Sequence, residues 1–175
     1  MEADRLEYYF FPSAFGTILL LSRKGVPFRL DVRGGQADLQ TILRRYPGAR
    51  RSFRALRHVI LPLQRYLEGK KTDFDFPLDL SAVLGFQKRV LLEVRRIPFG
   101  EVRSYESIAK ALGLSKGQRA VGKALAANPL PILIPCHRVV RKDGKLGGYS
   151  LGRNMKETLL RLEGLSVREG FVHTT

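Results

Sequence analysis

Three short apolar runs near the start of the chain, Leu6 to Phe11, Thr17 to Leu21 and Val26 to Val32, have the length of strands, and Ser22-Arg23-Lys24-Gly25 forms a turn between the last two. They predict a small antiparallel sheet. The period then becomes helical: Asp38 can cap a short helix through Tyr46, stopped by Pro47-Gly48, and Ser52 a longer one through Glu68, stopped by Gly69. In the longer helix Phe53, Leu56, Val59, Ile60, Leu63 and Leu67 share one face, and Pro62 predicts a bend or a break. The polar, then extended stretch Lys70 to Leu80, with Pro77 inside it, reads as the passage to a second domain, which places the domains at 1–80 and 81–175.

The second half reads as helices joined by short turns. Phe86 to Ile97 carries Val90, Leu91 and Val94 between Lys88, Arg89, Arg95 and Arg96, and stops at Pro98-Phe99-Gly100. Ser104 then caps a helix through about Leu112, Gly113 ends it, and Ser115-Lys116-Gly117-Gln118 reads as a capping box opening a helix to Ala127. An ordinary αα-hairpin has the same pattern as a helix-turn-helix. Arg119 at the start of the second helix, with Lys110, Lys116 and Lys123 around it, favours the nucleic-acid-binding form. A last helix is predicted from Asn154 to Leu162, before Gly164.

Charge points the same way. Of a net +15, residues 81–175 carry +10, which suggests a polyanionic partner. No run of eighteen apolar residues occurs, and the acidic-mixed start, Met1 to Arg5, is unlike a signal core, so a soluble, cytoplasmic protein with no membrane partner is expected. A single cysteine excludes an internal disulfide and a multi-cysteine zinc site, and histidines at 58, 137 and 173 have no ligand spacing, so neither metal nor cofactor is expected.

That one cysteine, Cys136, closes the apolar run Leu130 to Pro135 and is followed at once by His137 and Arg138. A lone cysteine is more often a small buried hydrophobe. Here the neighbouring polar groups predict a thiol at the edge between core and water, its pKa lowered by nearby positive charge, as a reactive thiol requires. Prolines at 129, 131 and 135 predict a stiff extended approach to it.

Arg119-Ala120-Val121-Gly122, Asn128-Pro129 and Pro135-Cys136-His137-Arg138-Val139-Val140, followed by Gly148-Tyr149 and Lys156, closely resemble the O6-alkylguanine-DNA alkyltransferases, also called methylated-DNA-protein-cysteine methyltransferases. The resemblance runs in order over residues 84–165. It implies an α+β chain of two domains, a small antiparallel sheet with helices of ribonuclease-H-like type followed by a mostly helical winged helix-turn-helix-like domain. It further implies a DNA repair protein that flips O6-alkylguanine out of duplex DNA, chiefly O6-methylguanine with O4-methylthymine as a secondary substrate. The alkyl group passes irreversibly to Cys136. Double-stranded DNA containing alkylated guanine would be its partner, with no obligate protein partner and a monomeric state.

The roles implied by resemblance are specific. Cys136 accepts the alkyl group; His137 deprotonates it through a water; Glu163 orients His137, although from sequence alone Glu163 reads as a solvated helix end. Arg119 fills the gap in the base stack, and Tyr105 acts on the target's 3′ phosphate and donates to the base. Asn128 braces the turn, backbone groups of Cys136, Val139 and Ser150 read the guanine edge, and Pro131 and Tyr149 shape the pocket. Gln87, Glu106, Ser115 and Lys142 match positions near DNA, the residue types at 106 and 142 differing from the family's. Leu151 stands where the family often has glycine and is expected to narrow the pocket rim. A hydrolase built on Cys136 and His137 would need an oxyanion hole and an acid in hydrolase order, neither of which the sequence shows. A damage-binding module without chemistry would replace the cysteine.

Overall fold

The computed structural model describes residues 5–33 and 36–173 and forms two compact units, Met1–Ala82 and Val83–Thr175. In the first, strands β1 (Leu6–Ser13), β2 (Gly16–Arg23) and β3 (Val26–Arg33) form an antiparallel meander. Lys24 and Gly25, with φ of 50° and 78°, make the tight β2–β3 turn, the left-handed pair that matches strand twist. Helix α1 (Gln36–Leu43) follows, then β4 (Arg50–Arg51), which pairs parallel with β1 to give the order β3-β2-β1-β4. Leu19 and Leu21 pack with Leu39 and Ile42 of α1. Ile18 and Leu20, which alternate with them, are fully buried on the other face, and helix α2 (Phe53–Leu67) packs on β1 and β3.

Local chemistry sets α2. Ser52 Oγ accepts from Ala55 N at 3.2 Å, the predicted cap. The helix runs through Pro62 without a break, one of the two outcomes expected there. The carbonyl that Pro62 leaves without its helical donor belongs to His58, which is exposed to solvent, while Leu56, Val59, Ile60, Leu63 and Tyr66 are fully buried and hold the other face. Phe53, expected on the core face, is 40% exposed, while Tyr66 in the last turn is fully buried. Helix α1 starts two residues before Asp38, whose side chain, with Met1 to Asp4, lies outside the described residues.

The second unit holds α3 (Gly85–Arg95), β5 (Arg103–Ser104), α4 (Tyr105–Ala111), α5 (Gln118–Ala126), a 3₁₀ turn Cys136–Arg138, β6 (Val139–Val140), α6 (Arg153–Leu162) and the hairpin β7 (Ser166–Arg168) and β8 (Phe171–His173). The described residues form a mixed α+β fold with small sheets and six α-helices. Two expectations fail. The segment before Cys136 is not extended: it folds into a turn closed by Ile134 N to Leu130 O at 2.8 Å, with Ile132 at φ 74°. The Ser115 capping box does not form; α5 starts at Gln118 with Gly117 as an N-cap lacking any side-chain bond. A Cβ on Gly117 would stand 2.8 Å from Leu114 Cδ1, so close packing of the turn decides where α5 begins. Among the described residues no helix is long and apolar enough to cross a membrane.

Candidate active site

Backbone pairing brings the α4–α5 helix pair to the cysteine. β5 and β6 run parallel, Arg103 opposite Val139 and Ser104 opposite Val140, so the strand leaving Cys136 lies beside the residues that start α4. Ser104 Oγ caps that helix by accepting from Ser107 N at 3.0 Å, which places Tyr105 at its first position. Arg119 is exposed in the first turn of α5. The Gln87 amide donates to Ala127 O at 2.8 Å and Ala124 O at 3.3 Å, satisfying carbonyls at the end of α5.

Asn128 organises the cysteine turn. Its Oδ1 accepts from Leu130 N at 3.0 Å, and its Nδ2 donates to Ile134 O at 3.0 Å and to Cys136 Sγ at 3.1 Å. One amide thus ties both ends of the turn to the sulfur. Ile132 holds a left-handed backbone that a β-branched residue rarely adopts, so the turn carries local strain that its fully buried side chain offsets. Cys136 is 3% exposed. Burial therefore pushes its thiol up, opposed by the Asn128 bond and the Lys156 charge, which reverses the lowered pKa expected from sequence.

Behind the thiol lies a buried charge cluster. Arg138 Nε donates to both Glu163 oxygens at 2.9 and 3.1 Å, its Nη2 to Oε1 at 3.0 Å, and its Nη1 to Ile97 O at 2.6 Å. Gly100 N adds a bond to Glu163 Oε2 at 3.1 Å, and His137 Nε2 stands 2.7 Å from Oε1. Burial opposes ionisation of Glu163, but His137 and Arg138 outweigh it and hold the carboxyl at about 2. An ionised carboxylate only accepts, so Nε2 carries a proton. Burial keeps His137 below its ordinary value despite Glu163, so the ring is neutral and Nδ1 holds the basic lone pair.

Lys156 is the residue whose part sequence reasoning missed. It sits on the inner face of α6, fully buried, with Nζ donating to Val139 O at 2.6 Å, to Leu146 O and to Gly148 O at 3.4 Å. Burial lowers its pKa to about 8. Its position in the inward helical register of Leu159 and Leu160 was the available signal. Arg138 was likewise visible only as part of a motif.

Cys136 borders a cleft of about 620 Å³ lined also by Tyr105, Glu106, Arg119, Lys142, Tyr149 and Ser150, with Gln118, Gly122, Arg141 and Gly147 among the others. Tyr105 hydroxyl donates to Gly148 O at 3.4 Å, and a Cβ on Gly147 would stand 3.1 Å from the tyrosine ring, so glycine lets the wall approach. Burial and the neighbouring Cys136 raise the Tyr105 pKa. Glu106 pairs with Lys110 at 3.2 Å and Lys142 at 3.0 Å. Asn128, Pro131, Val139, His137 and Glu163 are buried outside the cleft lining, Leu151 is half-buried, and Ser115 is exposed on the α4–α5 turn.

Residues 85–165 match the family model described as 6-O-methylguanine DNA methyltransferase, DNA binding domain. The methylated-DNA–protein-cysteine methyltransferase of Archaeoglobus fulgidus is 50% identical over 109 residues, covering 59% of this chain and 71% of the relative. That of Metallosphaera sedula is 50% identical over 107 residues, covering 61% and 66%. The O6-methylguanine methyltransferase of Mycobacterium tuberculosis superposes with a TM-score of 0.74 at 34% identity, over 90% of this chain and 92% of that one. A structure of Mycobacterium tuberculosis OGT in complex with DNA gives 0.76 over the same shares at the same identity. With half of the aligned residues identical over most of one relative's length and a matching fold over nine-tenths of both chains, this chain belongs to the methylated-DNA–protein-cysteine methyltransferase family.

Proposed function

We propose that this protein repairs alkylated duplex DNA by moving the alkyl group of O6-alkylguanine onto its own Cys136, chiefly from O6-methylguanine, with O4-methylthymine as a secondary substrate. The observation that carries the reading is the single cysteine at a cleft between Tyr105 and Tyr149, with a Glu163-oriented histidine next to it. The target oxygen is shielded inside a duplex, so the nucleotide must leave the stack, at a cost of a few kcal/mol. Arg119, exposed at the start of α5, fills the gap: its planar guanidinium can stack and donate together. Tyr105 presses on the phosphate 3′ to the target. Gln87, Glu106, Ser115 and Lys142 border the DNA.

In the reaction a water carries the Cys136 proton to His137 Nδ1 as the sulfur attacks the alkyl carbon. The carbon–oxygen bond breaks, Tyr105 donates a hydrogen bond to the departing base, and guanine takes up a proton. The net change is an alkyl group from O6 to Sγ and a proton from Sγ to guanine. Backbone groups of Cys136, Val139 and Ser150 read the guanine edge, Pro131 and Tyr149 shape the pocket, Leu151 narrows its rim, and Asn128 steadies the thiolate. A thioether is not hydrolysed back to a thiol, so each molecule reacts once, as a cytoplasmic monomer needing no cofactor. The first unit, expected to end at residue 80 and closing at Ala82, is read as a ribonuclease-H-like domain, and the second as a winged helix-turn-helix-like one that carries the chemistry.

Incubation with a duplex containing O6-methylguanine, followed by peptide mass analysis, tests this. One methyl retained on Cys136 is expected; an unmodified thiol, or repeated turnover, would overturn it.

A further inference from the structure

A second cavity of about 340 Å³ adjoins the reaction cleft, and Arg141 and Gly147 line both. Its charge comes from Arg141, Lys145 and Arg153 against one carboxylate, Glu169. Several other cations of this unit are matched: Lys110 and Lys142 by Glu106, Arg96 and Arg103 by Glu93, Arg161 by Glu157. Among the described residues Arg141 and Arg153 make no ion pair, and Lys145 reaches Asp143 only at 3.8 Å while lying over the Phe171 ring. Three cations gathered with so little compensation repel one another, a cost that an anionic ligand would remove.

The cluster is held by main-chain bonds. Leu146 N donates to Gly170 O at 3.0 Å and Val172 N to Gly144 O at 2.9 Å, fastening the loop that carries Lys145 to the β7–β8 hairpin. The Arg153 guanidinium lies where a Cβ on Gly170 would be, so glycine at that turn leaves it room. Two guanidinium forks suit phosphate oxygens, which they bind bidentately.

We infer that this cavity binds a backbone phosphate of the damaged strand, adjacent to the nucleotide whose base occupies the reaction cleft. The inference rests on the reading under Proposed function, and Arg141, shared by both cavities, sets the path of the strand from one to the other.

The test is an Arg153→Gln, Lys145→Gln double variant compared with the parent protein in two reactions. Binding to duplex DNA is measured across a salt series, and alkyl transfer is measured from free O6-benzylguanine, which has no phosphate. The slope of log K against log salt should fall by about 1 for each cation removed, Arg153→Lys should recover part of the affinity, and the free-base rate should stay at the parent value. An unchanged salt slope, or an equal fall in the free-base rate, would overturn the inference. Failure of the parent to retain a methyl on Cys136 would instead sink the underlying repair reading.

Discussion

Glu163 Oε1 and His137 Nε2 lie 2.7 Å apart, both side chains fully buried, at positions 26 residues apart in the chain. The carboxylate is shared with Arg138, so the histidine is oriented by a group whose own charge is already compensated. Burial, aided by the Arg138 charge, keeps His137 neutral and basic beside a carboxylate.

Glu163→Gln should uncouple these roles. An amide no longer compels Nε2 to carry the proton, so methyl transfer should slow by about 10²- to 10⁴-fold, the range for losing general-base catalysis. It also leaves the Arg138 charge buried without its partner, a change worth about 3–5 kcal/mol of stability. Single-turnover rates and urea denaturation of the same variant check both; a rate near that of the parent would contradict the assigned role.

Stability should depend on pH at both ends. Glu163 titrates at about 2 in the fold against an ordinary 4.5, so its contribution is complete above about 4.5 and is lost as pH falls toward 2. Lys156 titrates at about 8 against 10.5, so its buried charge lowers stability below 8, and that penalty is relieved as pH rises toward 10.5. Each difference is worth on the order of 3 kcal/mol. Urea midpoints from pH 2 to 10.5 should show both limbs, the acid one flattened in Glu163→Gln and the alkaline one in Lys156→Met.

Asn128→Ala removes the donor to Sγ together with two bonds that close the turn. Buried backbone groups left unpaired cost about 1–3 kcal/mol each. Methyl transfer should fall, and the thiol should titrate higher in a pH profile of alkylation by iodoacetamide.

Leu151 is half-buried and, in the proposed function, narrows the pocket rim. O6-methylguanine should react faster than O6-benzylguanine, and Leu151→Gly should narrow the difference. Equal rates for the two substrates in the parent would remove the basis for a steric role.

The antiparallel meander, the α2 cap at Ser52 and the α4 cap at Ser104 were legible because each depends on neighbours along the chain. The C-terminal hairpin was not, since Ser166–Arg168 and Phe171–His173 are too short to show a period and gain their order from Gly144 and Leu146. The start of α5 was misplaced because Gly117 is required by Leu114 packing, which local capping rules do not contain.

By itself the sequence determined the reactive group and its neighbours: one cysteine, followed by histidine and arginine, in the more basic half of the chain. Only the tertiary structure decided the state of those groups. The thiol is buried and raised, the turn before it is folded around Asn128, and Glu163 is an internal carboxylate where the sequence suggested a solvated helix end. The physical reason is that pKa and hydrogen-bond partnership depend on burial and on charges brought close by folding, and the chain order of His137, Lys156 and Glu163 carries neither.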